Sequence, residues 1–241
     1  MTHVLIVFAK LNFQCSKTRL RSTVGDDIAE SLSKAMLADI LEAFSKADTL
    51  YERYSIKMDL VLYFAPDTFR AEASQFLVSM GEEIASKWKI VSMPSYGGGG
   101  DLSSCNLSVK LAFALTEIAN KYDTVTFVGS DCPCLPLSEI LAGVRAAIDG
   151  DAFLSPAEDG GYVMLSMPSS ASSRVFQGVV WSSPSTLESQ IESIEQSGMS
   201  CRLGNTYTDV DEEEDLDKVQ KHLQQIGQSS RTLDVLRRRG R

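Results

Sequence analysis

The chain has 241 residues, 44% hydrophobic and 23% charged, which is enough apolar material for a sizeable core and far from the composition of a disordered chain, a fibre or a coiled coil. No run reaches the ~18–20 apolar residues needed to cross a bilayer, so no membrane association is expected. With 32 acidic against 23 basic residues the formal net charge is −9, which disfavours nucleic acid as a partner, because phosphates must be neutralised by a basic surface.

Apolar residues alternate along the chain between strand-like runs and helical spacing, the pattern of an α/β fold with a mostly parallel sheet. The first strand is Val4 to Ala9. Asp26 is the expected cap of a long helix whose apolar positions Ile28, Leu32, Met36, Ile40 and Phe44 share one stripe. A second strand runs from Asp59 to Ala65, and Phe69, Ala73, Phe76, Leu77 and Met80 mark the helix after it. Trp88 to Met93 reads as a short strand, and Pro94 to Asp101 as a loop too glycine-rich for regular structure. Leu107, Leu111, Leu115 and Ile118 predict a third helix.

Thr124 to Gly129 is a continuous apolar strand of the kind buried on both faces, followed by a helix from Ser138 to Ile148. Strands at Ala152 to Ser155 and Tyr162 to Met167 flank the turn Glu158-Asp159-Gly160-Gly161. Pro184 begins a helix that Gly198 stops, Ser200 to Leu203 is a last strand, and Asp211 caps a closing helix that runs to Ile226. No linker divides the chain. The expectation is one domain over residues 1–227 and a basic, mobile tail over 228–241.

In an open parallel sheet, ligands bind beyond the carboxyl ends of the strands, so polar residues directly after apolar runs are the candidates. Lys10, Lys17, Thr18 and Arg19 follow the first strand and present cations and a hydroxyl suited to a phosphate, or else form a solvated basic loop. Ser130 and Asp131 end the most apolar strand. There the carboxylate needs a cation or hydrogen-bond partner, which a divalent metal would supply, although an Asp capping the Pro133 turn reads equally well. Asp211 could supply a second carboxylate, or only begin a helix. Asp159 is a candidate for orienting or deprotonating an acceptor, with a purely turn-forming Asp as the alternative. Gly97 to Gly100 could form a lid, and Trp181 could stack on a base or sugar or pack beneath a loop. Cys132 and Cys134 lack the second pair of a zinc site, and His3 and His222 are isolated from any nucleophile.

Six ordered blocks carry a family likeness. They are Phe8-Ala9-Lys10 with Lys17-Thr18-Arg19-Leu20, Gly100-Asp101-Leu102, Gly129-Ser130-Asp131-Cys132-Pro133, Pro156 to Tyr162, Trp181-Ser182-Ser183-Pro184, and Asp209-Val210-Asp211 with Asp215-Leu216. Together they resemble the glycosyltransferase-A-like bacterial family of radical-SAM/selenodomain-associated transferases. The resemblance implies the single-domain GT-A, or nucleotide-diphospho-sugar transferase, fold, a mostly parallel twisted sheet flanked by helices. The first block is also similar to the start of phospholactate guanylyltransferases, and the last to the end of molybdenum-cofactor nucleotidyltransferases.

By that likeness Asp131 and Asp211 would hold Mg²⁺ or Mn²⁺, and Lys17 and Arg19 would contact phosphate. Lys10, Thr18, Gly100, Asp101, Ser130 and Trp181 would complete the donor site. The expected activity is glycosyl or nucleotidyl transfer from a nucleotide or nucleotide-sugar donor to a small-molecule acceptor. The contrasting expectation is a nucleotide-binding regulatory or scaffold protein without turnover, motivated by the unusual Asp101 to Leu107 segment and the basic tail. Five scattered cysteines and an N-terminus without a leader-like pattern lead to a cytoplasmic expectation.

Overall fold

The computed structural model describes residues 1–47, 54–65, 67–92, 95–96, 100–101, 107–227 and 230–239. Its centre is a seven-stranded sheet built from β1 (Thr2–Lys10), β2 (Lys57–Ala65), β3 (Trp88–Ser92), β6 (Thr124–Gly129), β7 (Ala152–Pro156), β8 (Tyr162–Pro168) and β9 (Cys201–Leu203), in the order β3-β2-β1-β6-β8-β7-β9. The pairs β2–β3, β1–β2, β1–β6 and β7–β9 are parallel, and β8 runs antiparallel to both its neighbours. The mostly parallel, helix-flanked sheet matches the expected class.

Successive strand residues point to opposite faces, so each central strand feeds two cores. Leu5 and Val7 of β1, with Leu60 and Leu62 of β2, face a layer that includes α2 (Asp26–Phe44), α3 (Arg70–Ser79) and α6 (Leu137–Ile148). Val4 and Ile6, with Val61 and Tyr63, face α5 (Leu107–Phe113) and α7 (Thr186–Gln196). Leu5, Ile6 and Leu62 are fully buried, and each side chain removed from water contributes about 1.5–3 kcal/mol. The short helix α4 (Glu82–Ala85) leads into β3.

Several boundaries differ from the sequence reading for local reasons. The stretch after Lys17 is not all loop: α1 (Thr18–Val24) forms there and ends at Gly25, whose φ of 85° turns the chain into α2. Asp26 is therefore the first residue of α2, where its charge favours the dipole, and Gly25 occupies the cap. Likewise α8 (Glu213–Ile226) is capped by Glu212 and not Asp211, in a capping box with Asp215 that leaves the Asp211 carboxylate uncommitted to the helix. The helix foreseen at Pro184 begins at Thr186. The ends of the glycine-rich loop are regular after all, with β4 (Ser95–Tyr96) pairing antiparallel to β5 (Gly100–Asp101). Gly97 to Gly99, the core of the expected lid, and Leu102 to Asn106 lie outside the described residues.

The C-terminal segment corrects the expectation of a mobile tail. Residues Arg231–Arg239 form α9, with Thr232 buried and Leu233 and Leu236 packed in one cluster with Leu32 and Met36 of α2 and Leu216, Val219 and Leu223 of α8. Asp39 of α2 acts as a cap in trans: its carboxylate accepts from Ser230 Oγ at 2.7 Å and from the backbone N–H groups of Arg231 and Thr232, each at 2.9 Å. Arg231 also pairs with Glu42, and Arg239 reaches Glu213. The arginines hold the helix to acidic neighbours. Asp39→Ala, which removes the cap, is expected to cost about 1–2 kcal/mol, a fall of about 2–8 °C in melting temperature, and to speed amide exchange selectively in residues 230–239. Unchanged exchange there would contradict this docking.

Candidate active site

The cleft follows from topology. From β1 the chain steps outward to β2 and β3, then crosses back to β6 on the other side of β1, so the order reverses between β1 and β6. A crevice opens at such a switch point beyond the carboxyl ends of the strands. Phe8 of β1 lies opposite Gly129, the last residue of β6, and β1 runs on to Lys10. The resulting cleft of about 630 Å³ is lined by Phe8 to Lys10, Ser16 to Arg19, Gly129 to Asp131, Ser182 and Asp211, among others.

Lys17 sits at its centre. Its Nζ donates to Asp131 Oδ2 at 3.1 Å and to Asp211 Oδ1 at 2.7 Å, across 114 and 194 positions of sequence. The Lys17 side chain is only 12% exposed, against 36% for Asp131 and 49% for Asp211. Burial alone would lower the Lys17 pKa, but the two carboxylates outweigh it and hold the ammonium above its ordinary range. The residue adopts a left-handed backbone, φ 53° and ψ 49°, a conformation that costs a non-glycine residue about 1–2 kcal/mol. Tertiary contacts impose it. Arg21 braces the same loop, donating to the carbonyls of Ser16 and Phe13 and to Asp26.

The second carboxylate arrives by a backbone stitch: Val210 N–H donates to the Asp131 carbonyl at 3.0 Å, fixing the Asp209 to Asp211 strip against the turn after β6. Tyr207 N–H, bonded to the Pro156 carbonyl at 2.9 Å, fixes the same segment upstream. Asp209 is the third acid of this corner. Burial, then the charges of Asp131 and Asp159, push its pKa up to about 7.

The structure thus brings Lys10, Lys17, Thr18, Arg19, Ser130, Asp131 and Asp211 to one cleft. Arg19 lies on its exposed rim, paired with Glu212 at 3.0 Å. Such an exposed pair is worth at most about 1 kcal/mol and yields readily to a phosphate. Trp181 is not brought there. Its indole N–H donates to Ser108 Oγ at 2.7 Å, and its ring packs 6.1 Å from Tyr162, so it belongs to the wall beneath. Asp159 does not line the cleft either: its Oδ1 accepts from Gly161 N–H at 2.8 Å, the local bond of a turn. That turn is tight, because a Cβ on Gly160 would meet the Pro184 carbonyl oxygen at 2.1 Å. Gly100 and Asp101 stand on β5. Burial raises the Cys132 thiol well above its usual range and Cys134 to about 12, which removes both as thiolates.

Sequence reasoning missed Phe13, Ser33, Met36 and Lys110 on the cleft wall, since nothing in the local pattern of a helix tells which partly apolar face a ligand will share. Asp209 was visible as half of an Asp-x-Asp pair, whose alternate positions can face one side. Among the described residues no three His, Cys, Asp or Glu side chains are placed to hold a metal ion. The donor set nevertheless suits a hard divalent cation: two carboxylates already converge on one positive charge, and Mg²⁺ takes one or two carboxylates with its remaining positions filled by water or phosphate.

Fold and cleft define a protein of the nucleotide-diphospho-sugar transferase fold. Residues 55–183 match the family described as an uncharacterized protein conserved in bacteria (DUF2064), and the chain belongs to that family. A crystal structure from Desulfovibrio desulfuricans G20, carrying the provisional name nucleotide-diphospho-sugar transferase, superposes with a TM-score of 0.79 at 22% identity over 98% of this chain and 94% of that one. CMP:2-keto-3-deoxy-manno-octonic acid synthetase complexed with CTP follows at TM-score 0.55 and 10% identity, covering 94% of this chain and 100% of that one. A 4-diphosphocytidyl-2C-methyl-D-erythritol synthase from Anaerococcus prevotii DSM 20548 gives 0.53 at 9% identity, covering 93% and 98%. At these identities the likeness is one of fold. No curated protein matches the chain. No described helix is long and apolar enough to cross a membrane.

Proposed function

We propose that this protein is a divalent-metal-dependent transferase that takes a nucleotide-activated donor, an NTP or a nucleotide-sugar, and passes its nucleotidyl or glycosyl group to a small acceptor. The observation that supports the reading is the meeting of Lys17, Asp131 and Asp211 at the sheet's switch point, in a cleft also lined by Lys10, Thr18 and Arg19. Both reactions expel a phosphate-bearing leaving group, so the cleft must stabilise negative charge as it develops. Lys17, Lys10 and Arg19 would contact the phosphates, and Thr18 and Ser130 would donate hydrogen bonds to them. Asp131 and Asp211 would hold the metal, which when bound neutralises charge on the phosphates.

The test is a thermal-shift screen of NTPs and nucleotide-sugars with and without Mg²⁺ or Mn²⁺. A cognate donor at 100 times its Kd should stabilise the fold by about 2.7 kcal/mol, and only with metal present. If no nucleotide stabilises the protein under any metal condition, the reading fails. For a donor that binds, release of pyrophosphate indicates nucleotidyl transfer, and release of a nucleoside diphosphate or monophosphate indicates sugar transfer.

A further inference from the structure

We propose that Lys17 is a resident counter-cation that competes with the divalent metal for Asp131 and Asp211, so that metal enters together with the donor's phosphates and binds poorly alone. The proposal rests on the transferase reading and adds the order in which its site is loaded.

The geometry carries it. One ammonium touches an oxygen of each carboxylate, at 3.1 and 2.7 Å, and is the least exposed of the three side chains. A divalent ion drawing on the same pair must either take that position or lie against an ammonium that is too enclosed to be screened well. Lys17 is also fixed at its base, because its left-handed backbone and the Arg21 brace leave the side chain as the part free to move. The metal alone therefore gains two carboxylates but strands a buried ammonium, and an unpaired buried charge is costly. A polyphosphate changes the balance. It offers Lys17 a replacement anion within the same cleft, beside Lys10, Thr18 and Arg19. Metal and polyphosphate then help each other bind, and by linkage the help is equal in both directions.

The experiment measures binding of Mn²⁺ alone to the full chain by titration calorimetry or electron paramagnetic resonance. Lys17→Gln and Lys17→Met are each checked for folding by circular dichroism. Both should bind Mn²⁺ about 10-fold or more tightly than the wild type, and adding Asp131→Asn to Lys17→Gln should erase the gain. Lys34→Gln removes a positive charge that stacks on the cleft residue Phe13 without touching either carboxylate. It should change Mn²⁺ affinity less than about 3-fold, as expected for a screened surface charge. Folded Lys17 variants that bind Mn²⁺ no better than wild type overturn the competition, as does an equal gain in Lys34→Gln. In both cases metal-dependent stabilisation by nucleotides would leave the transferase reading standing. Absence of Mn²⁺ binding in every variant, together with no nucleotide stabilisation, overturns both.

Discussion

Replacing Asp131 by asparagine is expected to lower transfer activity by about 10²- to 10³-fold, the range seen when one preorganised charge-stabilising group is removed, with the fold preserved. The separation of the two effects follows from which atoms hold the site. The stitch that seats the Asp209 to Asp211 strip uses the backbone carbonyl of Asp131, which asparagine keeps, whereas the contact to Lys17 uses the carboxylate. Asparagine removes one of the two anionic oxygens that face the central cation and leaves Asp211 to hold it alone. Asp211→Asn should act similarly. Ser130→Ala, which removes a neutral hydroxyl from the same turn, should cost about 10-fold or less, the worth of one ordinary hydrogen bond. The readout is kcat with the donor found in the thermal-shift screen, alongside melting temperature. An Asp131→Asn protein that keeps activity within threefold of wild type would remove Asp131 from the chemistry.

The largest effect on stability is expected from Glu139, a residue of α6 that is only 4% exposed. Its carboxylate accepts from Ser155 Oγ at 2.9 Å, Asn205 N–H at 2.8 Å, Asn205 Nδ2 at 2.9 Å and Tyr207 OH at 3.1 Å. These bonds tie α6 and β7 to the segment after β9. Space is tight, since a Cβ on Gly204 would meet Glu139 Oε1 at 2.1 Å. Glu139→Ala leaves those donors without their shared acceptor and opens a void among them. Leaving several buried donors unpaired costs about 1–3 kcal/mol each, about 3–5 kcal/mol in all, or roughly 6–20 °C in melting temperature for a chain of this size. The damage should spread to the cleft, because Tyr207 and Val210 are successive anchors of the strip that delivers Asp211. Glu139→Gln keeps an acceptor for two of the donors and should fall about midway. A Glu139→Ala variant that melts within 2 °C of wild type would show that the network contributes little.

Much of the architecture was legible from the residues. The run Thr124 to Gly129, mostly apolar with only the small hydroxyls of Thr124 and Thr126 between, reads as a strand covered on both faces, and it stands at the centre of the sheet beside β1. The spacing of Ile28, Leu32, Met36, Ile40 and Phe44 marked the inward stripe of α2, and all but the half-buried Ile28 are buried. Polar residues placed directly after β1 and β6 marked the mouth of the cleft. Errors fell where local signals compete. Asp211 and Glu212 are both plausible caps, and the choice went to the residue whose partner three positions on, Asp215, could answer it. An arginine-rich terminus has the composition of a solvated tail, and burial of Leu233 and Leu236 against α2 and α8, together with the carboxylates of Asp39, Glu42 and Glu213, makes it a docked helix.

Sequence by itself determined the longer strands and helices, the class of sheet they build and the set of cations and acids gathered near its carboxyl edge, because hydrophobic periodicity and helix-ending signals act over a few residues. Tertiary structure alone decided that Lys17 stands between Asp131 and Asp211, that Trp181 turns into the wall, and that Glu139 anchors the strip carrying the second acid. Those pairings join positions 66 to 194 residues apart. Their geometry is fixed by the strand crossover that creates the switch point, which no local pattern records.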